Sequence, residues 1–474
     1  MKMLRPRALA VRRSGARGQR VSTVLWCLLA LACGDPEPPT VRLGAMPTCP
    51  DLSSGCLNVG AATLDVGGVR VIYKRTPGQP LAALRMLFDN GTRGERQMWA
   101  ERLALTMVQI AGPSTRTPSS WQGELDKLGA VVAFTPGADY ATLSGTVAAP
   151  RAIDLWRLLR EALRNPPQSQ FQLDHFARLE QRNVVVRGDQ PQLAAQDEAW
   201  SLLMQRTPAD ETASLAELST VRAGDVSQAF GTLLDKPRIT VVVVGDVLLE
   251  SVRAEVEQLV GALPTMSANP FPAPAASQAG DVPGLAATAV LPYPDAPTWH
   301  IAGYFRGPPA DSEDHAALRL GLAILDNRLY ARIRDERGLA YTVGARPYFY
   351  RETVGYLWLS TNAPGEALPI MQTTLAELRV LAPTNSELTS ARQTVRTQIF
   401  EASDTPAGLC ATLADWQLTV GDRTRIDTFL TQLDTLTTAR VHESLTKFLR
   451  NGAVVAAGGG SELAESQLQA LLPP

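Results

Sequence analysis

Histidine is the rarest side chain in this 474-residue protein, with four copies at positions 175, 300, 315 and 442. None precedes residue 175, and no two stand four residues apart, so no single helix turn can offer two imidazoles to one metal ion. Five cysteines are present, and no two fall at the short spacing of a zinc site. The apolar run at residues 21–33 is too short to span a bilayer as a helix. Charged residues make up only 19% of the chain. The formal net charge of −2 conceals seven Lys/Arg in residues 1–20, and without them 38 basic residues face 47 acidic ones. No basic stripe remains to neutralise phosphates, which argues against nucleic-acid binding.

What is present begins with that basic segment. Seven cations followed by "VSTVLWCLLALAC" form a secretory signal over residues 1–33. Ala30-Leu31-Ala32 fits ordinary signal peptidase, while "LALAC" before Gly34 also resembles a bacterial lipobox with Cys33 as the lipidated residue. Either places the protein in the bacterial cell envelope, periplasmic or as an outer-membrane lipoprotein. Residues 34–58, opening with "GDPEPPT", suit a tether. Cys49 and Cys56 flank the turn-rich "PDLSSG" and are expected to form a local disulfide in an oxidising compartment. Cys410, in the apolar "GLCATLADWQL", reads as a buried, inert thiol.

The rest divides at a Pro-, Ala- and Ser-rich stretch, residues 263–284, into halves at 59–262 and 285–474. The first half reads as strands "GVRVIYKRT" and "LAALRMLFDNG", helices near 96–111 and "SSWQGELDKLG", then strands "AVVAFTP" and "YATLSGTVAA". Helices "AIDLWRLLREALRN" and "SQFQLDHFARLEQRNVVVRG", strand "RITVVVVGDV" and a closing helix complete it. The second half repeats the plan, from strand "TWHIAGYFRG" and helix 315–338 through two strands and paired helices to strand "GAVVAAGGG" and a last helix at 462–472. Strand runs alternate with helix pairs rather than single crossovers. The expected fold class is therefore α+β, with two homologous domains, each a mostly antiparallel sheet packed with helices.

Four segments carry a resemblance to a known family: "ELDKLGA", "ALRNPPQSQFQLDHFARLEQRNVVV", "TVVVVGDV" and above all "RIRDERGLAYTV". In these the chain resembles the pitrilysin/insulinase-type zinc peptidases, which include the mitochondrial processing peptidase and bacterial two-domain subunits. The resemblance implies a clamshell half that closes over a peptide. Active members carry His-x-x-Glu-His on a first-domain helix, with two imidazoles binding zinc and the carboxylate activating water. Aligned here, the ligand positions fall on Leu103 and Met107 and the base on Thr106, with the family's third ligand at Arg187 or Gly188. No metal site is expected in this chain. Trp99, Leu103, Met107 and Ile110 instead form an apolar stripe, read as a core face or as a hydrophobic peptide pocket.

The family's second-domain signature persists. Its peptide-contacting Arg and Tyr match Arg334 and Tyr341, a guanidinium fork and a phenol able to donate to peptide carbonyls. The competing reading pairs Arg334 with Asp335 or Glu336 and makes Tyr341 a half-buried strand aromatic. Other patterns carry less: "AAGGGSEL" lacks the Lys-Ser/Thr of a phosphate loop, and His442-Glu443 forms no metal motif. The resemblance implies a non-catalytic, substrate-binding subunit of a heterodimeric peptidase, with zinc in a homologous partner and an extended peptide as substrate. The alternative is an inactive homologue acting as a scaffold or peptide-binding protein without proteolysis.

Overall fold

Residues 239–245, "ITVVVVG", carry no alternation of polar and apolar side chains, the pattern of a strand covered on both faces. In the computed structural model all seven are buried. The structure describes residues 57–89, 95–135, 140–167, 169–204, 218–261, 263, 286–460 and 463–474, which all fall in one compact unit. Cys33, Cys49 and Cys56 lie outside the described residues, as does most of the 263–284 segment.

The first sheet contains β1 (Ala61–Val66), β2 (Val69–Arg75), β3 (Leu81–Phe88), β4 (Val131–Thr135), β5 (Ala141–Ala148) and β6 (Ile239–Gly245) in the order β1-β2-β6-β3-β5-β4. Only β2 and β6 run parallel. The second sheet contains β7 (Ala287–Pro292), β8 (Trp299–Pro309), β9 (Thr342–Tyr348), β10 (Glu352–Thr361) and β11 (Ala453–Gly458) in the order β7-β11-β8-β10-β9, with β7 and β11 parallel. Each sheet thus pairs its last strand in parallel with an early one and is otherwise antiparallel, as the α+β reading expects.

The helices between β3 and β7 are α1 (Glu95–Ala111), α2 (Pro118–Leu128), α3 (Ala152–Arg164), α4 (Gln170–Gly188), α5 (Pro191–Leu203), α6 (Ala223–Leu233) and α7 (Leu249–Val260). The second half adds α8 (Glu313–Leu329), α9 (Pro364–Val380), α10 (Asn385–Ala402), α11 (Pro406–Thr419), α12 (Arg425–Thr435), α13 (Thr438–Phe448) and a short α14 (Ser466–Gln469). The sequence patterns do not predict β1, β7, α5, α6, α12 or α13, and the last helix is shorter than expected.

The two halves exchange helices. Along β6, Val242 and Val244 join the core beneath α11, while Ile239, Val241 and Val243 face the first half's own helices. Along β11, Val454 and Ala456 face the second half's helices, while Ala453, Val455 and Ala457 lie under α5. A helix from each half therefore covers the outer face of the other's sheet. Ala195 and Ala199 of α5 are nearly inaccessible against the alanine-rich β11, since small residues on both sides let backbones approach. Polar ties reinforce the exchange. Tyr140 Oη donates to Asp415 Oδ1 at 2.9 Å, Arg351 pairs with Asp89 at 2.7 Å, and Arg423 donates to Asn58 Oδ1 at 2.6 Å.

Cys410 sits in this exchanged helix, and its thiol donates to Val242 O at 3.4 Å. Burial pushes it up to about 12, far from the thiolate that reagents attack. A thiol reagent at neutral pH is expected to leave Cys410 unmodified in the folded protein and to modify it fully in denaturant, as peptide mapping by mass spectrometry would read.

Local sequence sets the helix ends. Thr117 caps α2 by accepting from Ser120 N, with Pro118 in the first turn and Gly129 in the left-handed conformation at its end. Thr384 and Glu387 form a capping box on α10. Glu387 also accepts from Arg328 Nε at 2.6 Å, and that bond, with those from Thr384, holds its carboxyl down at about 2. A depressed carboxylate stabilises the fold above its unfolded value of 4.5, and the contribution disappears as pH falls toward 2. Urea stability of Glu387→Gln should accordingly fall less than that of wild type between pH 4.5 and 2.

Candidate functional site

Helix α1 is rich in Leu, Ala, Met and Glu, good helix formers. It is walled by α6, α4, α2 and β4. Leu103 is 0% and Met107 1% exposed, Trp99 is buried beside them, and Thr106 is half-buried. The stripe is therefore core at three of its four positions. Ile110 departs from it at 48% exposure, and burial instead spreads to Ala100, Ala104, Leu105, Val108 and Ala111. These side chains supply contact surface and, apart from the soft thioether of Met107, no donor atom for a cation. Among the described residues no group of three His, Cys, Asp or Glu side chains is gathered to hold a metal ion.

Neither residue at the expected third-ligand position offers a carboxylate. Arg187 lies at the exposed end of α4, held by Asp197 at 2.6 and 3.0 Å, and the Gly188 carbonyl accepts from Tyr293 Oη. The α4 carboxylate that reaches α1 is Glu180, buried and 3.0 Å from Arg102 Nη2, with Arg102 also 5.6 Å over the Trp99 ring. The contact is ionic without hydrogen-bond alignment, since Glu180 Oε2 has no hydrogen-bond partner. A guanidinium next to Leu103 thus supplies the positive charge that this buried acid requires. The signal was periodic: Leu173, Phe176 and Glu180 share the buried face of α4, whereas 187 and 188 fall past its end.

In the second half, α8 passes directly into a π-helical turn, Tyr330–Asp335, instead of running unbroken to 338. Single π turns are rare and concentrate at functional sites. Glu336 N donates to Ala331 O at 2.9 Å, and Leu339 N to Ile333 O at 2.9 Å. Gly338 closes the turn at φ 62°, a conformation that favours glycine. Ile333 anchors the turn in the core, while Arg334 faces outward.

The structure brings Arg334 and Tyr341 together. The guanidinium carbon lies 5.4 Å over the Tyr341 ring and 4.9 Å over that of Tyr330. Tyr341 is 81% exposed, one residue before β9 rather than within it. Among the described residues no carboxylate pairs with Arg334: Arg332 of the same turn takes Glu377 at 2.7 Å, and Arg328 takes Glu387. The pairing of Arg334 with Asp335 or Glu336 is absent. A guanidinium stacked on rings keeps its in-plane N–H groups free for an oxygen acceptor.

Two edge strands bear on how an extended chain could dock. β4 and β9 each lie at one end of a sheet. Phe134 N of β4 donates to Gln109 Oε1 of α1 at 3.3 Å, and Ala345 N of β9 to Asp326 Oδ1 of α8 at 2.9 Å. Burial raises the Asp326 carboxyl, against the Ala345 bond and Arg346. Each helix thus occupies one amide that strand addition would otherwise use.

The histidines do not converge. His175 is exposed at the edge of Phe176, His300 Nδ1 meets Ser360 Oγ at 2.9 Å, and His442 Nδ1 meets Leu378 O at 3.1 Å. His315 is buried, with Nδ1 at 2.8 Å from Thr353 Oγ1, and burial, aided by Arg319, drives it down to about 3.

Residues 220–395 match the family model described as the peptidase M16 inactive domain. No curated protein matches the chain. The structure resembles the peptidase M16 inactive domain from Pseudomonas fluorescens, with 19% identity, 85% of this chain and 99% of that one covered, and TM-score 0.72. It resembles the periplasmic protease PqqL from Escherichia coli with 15% identity and TM-score 0.65, over 93% of this chain but 49% of that one. A chain of complex III2 from Candida albicans matches with 11% identity and TM-score 0.68, over 87% of this chain and all of that one. At these identities the likeness is one of fold.

Proposed function

We propose, from the premise that residues 220–395 match the peptidase M16 inactive domain and that the fold is similar to solved M16 structures, that this chain is the non-catalytic subunit of a two-subunit envelope peptidase. Its substrate is an extended peptide, and a homologous partner carries the zinc. The observation that carries the reading is a contrast within one molecule. Helix α1 is filled with largely apolar side chains at the metal positions, whereas Arg334 and Tyr341 sit together, outward-facing and, among the described residues, without an acidic partner. Unpaired surface cations that are held in place suit a ligand better than a fold. The length supports pairing, since the chain spans about half of PqqL and a second such chain would supply the rest.

In this role Arg334 N–H groups donate to a peptide carbonyl and Tyr341 Oη donates to a neighbouring carbonyl or to the oxyanion formed during hydrolysis. A zinc ion held by the partner's His-x-x-Glu-His would supply the activated water. A lipidated Cys33 would hold the pair at the membrane. The second reading, a scaffold without proteolysis, draws on the full-length match to a chain of complex III2. Co-expression with an envelope homologue bearing His-x-x-Glu-His, followed by co-purification and a peptide-cleavage assay, separates the two. The subunit reading expects a stable pair that cleaves; a pair that forms without cleaving supports the scaffold.

A further inference from the structure

We infer that Tyr330 is a positioning residue for the peptide grip, holding the Arg334 guanidinium in its donating orientation; this rests on the reading of Arg334 as a peptide contact. The two side chains come from one π turn and place the guanidinium carbon 4.9 Å over the Tyr330 ring, closer than its 5.4 Å to Tyr341. Tyr330 is 39% exposed, far more than the core aromatics, and among the described residues its hydroxyl makes no hydrogen bond. Its outer position therefore serves neither burial nor a polar network. A free arginine samples many rotamers, and an acid would normally fix it, as Glu377 fixes Arg332 and Glu387 fixes Arg328. An acid at Arg334 would consume the donors that a peptide needs. An aromatic ring restrains the guanidinium through its face and leaves the in-plane N–H groups open. The ligand class is accordingly a planar oxygen acceptor, the backbone carbonyl of an extended peptide.

Two measurements on the full-length mature chain test this. The first is the NMR signal of the Arg334 Nε–H group, which stacking on a ring shifts upfield. The second is fluorescence anisotropy with labelled oxidised insulin B chain as the probe. Tyr330→Ala should move the signal downfield, toward the position of a free arginine, and weaken binding roughly 5-fold, while Tyr330→Phe, which keeps the ring, should match wild type in both. Arg334→Ala should weaken binding at least as much as Tyr330→Ala. If Arg334→Ala weakens binding while Tyr330→Ala changes neither readout, the positioning role fails and the peptide-contact reading stands. If Arg334→Ala leaves binding unchanged, or the probe does not bind at all, the peptide-contact reading itself fails and the inference goes with it. Both tyrosine variants lie on the surface, so retained circular dichroism and melting temperature are expected throughout.

Discussion

Leu103→Ala is expected to lower the unfolding free energy by about 2–5 kcal/mol, as read by urea denaturation followed through tryptophan fluorescence. The side chain has no exposed surface and lies in a closed cluster with Trp99, Leu105, Met107 and Val108. Deleting its methyl groups removes their transfer free energy and leaves a cavity that α6 and β4 can only partly fill. Met107→Ala should cost a similar amount, and the double variant less than the sum, because the two share one face of α1 and one cavity. A peptide pocket would behave differently. Truncation there would cost well under 1 kcal/mol of stability and would shift peptide affinity instead. The size of the loss therefore decides between the two readings of the apolar stripe, and nearly complete burial favours the core.

Arg334→Ala is expected to do the opposite. The side chain is partly exposed and, among the described residues, pairs with no acid, so stability should change by less than about 0.5 kcal/mol. In the reconstituted pair, cleavage of a probe peptide should fall about 10- to 100-fold, the loss of one charge-assisted hydrogen bond in a site closed to water. Tyr341→Phe retains the ring over which the guanidinium lies and removes only the hydroxyl. Its effect should fall on kcat more than on KM if the phenol donates to the developing oxyanion. Substitution of Arg337, exposed on the same segment, should leave cleavage unchanged and serves as the control for surface charge.

Much of this was legible in the residues. The unbroken apolar β6, the capped helices and the mostly apolar runs of β3 and β10 each follow from side-chain pattern and turn chemistry. The apolar replacements at 103 and 107 also needed only the sequence. The helix exchange was not legible, because α5 offers alanines at helical spacing that would fit any flat, small-residued surface. Nothing in such a face names the sheet that it will cover, and long-range packing decides it. The π turn was hidden for a related reason, since "LYARIRDERG" has ordinary helical propensity and the widening comes from anchoring Ile333 while Gly338 ends the turn. Glu180 was hidden by its charge. It occupies an apolar stripe of α4, and only the neighbouring Arg102 makes that place tolerable.

The most direct measurement is the zinc content and peptidase activity of the mature chain purified alone after chelator washing. The account predicts no stoichiometric zinc and no cleavage of an unstructured peptide by this polypeptide, because Leu103 offers a cation no donor atom and Met107 only a soft thioether sulfur, in place of two imidazoles. One zinc per chain, together with hydrolysis that chelation abolishes, would contradict it.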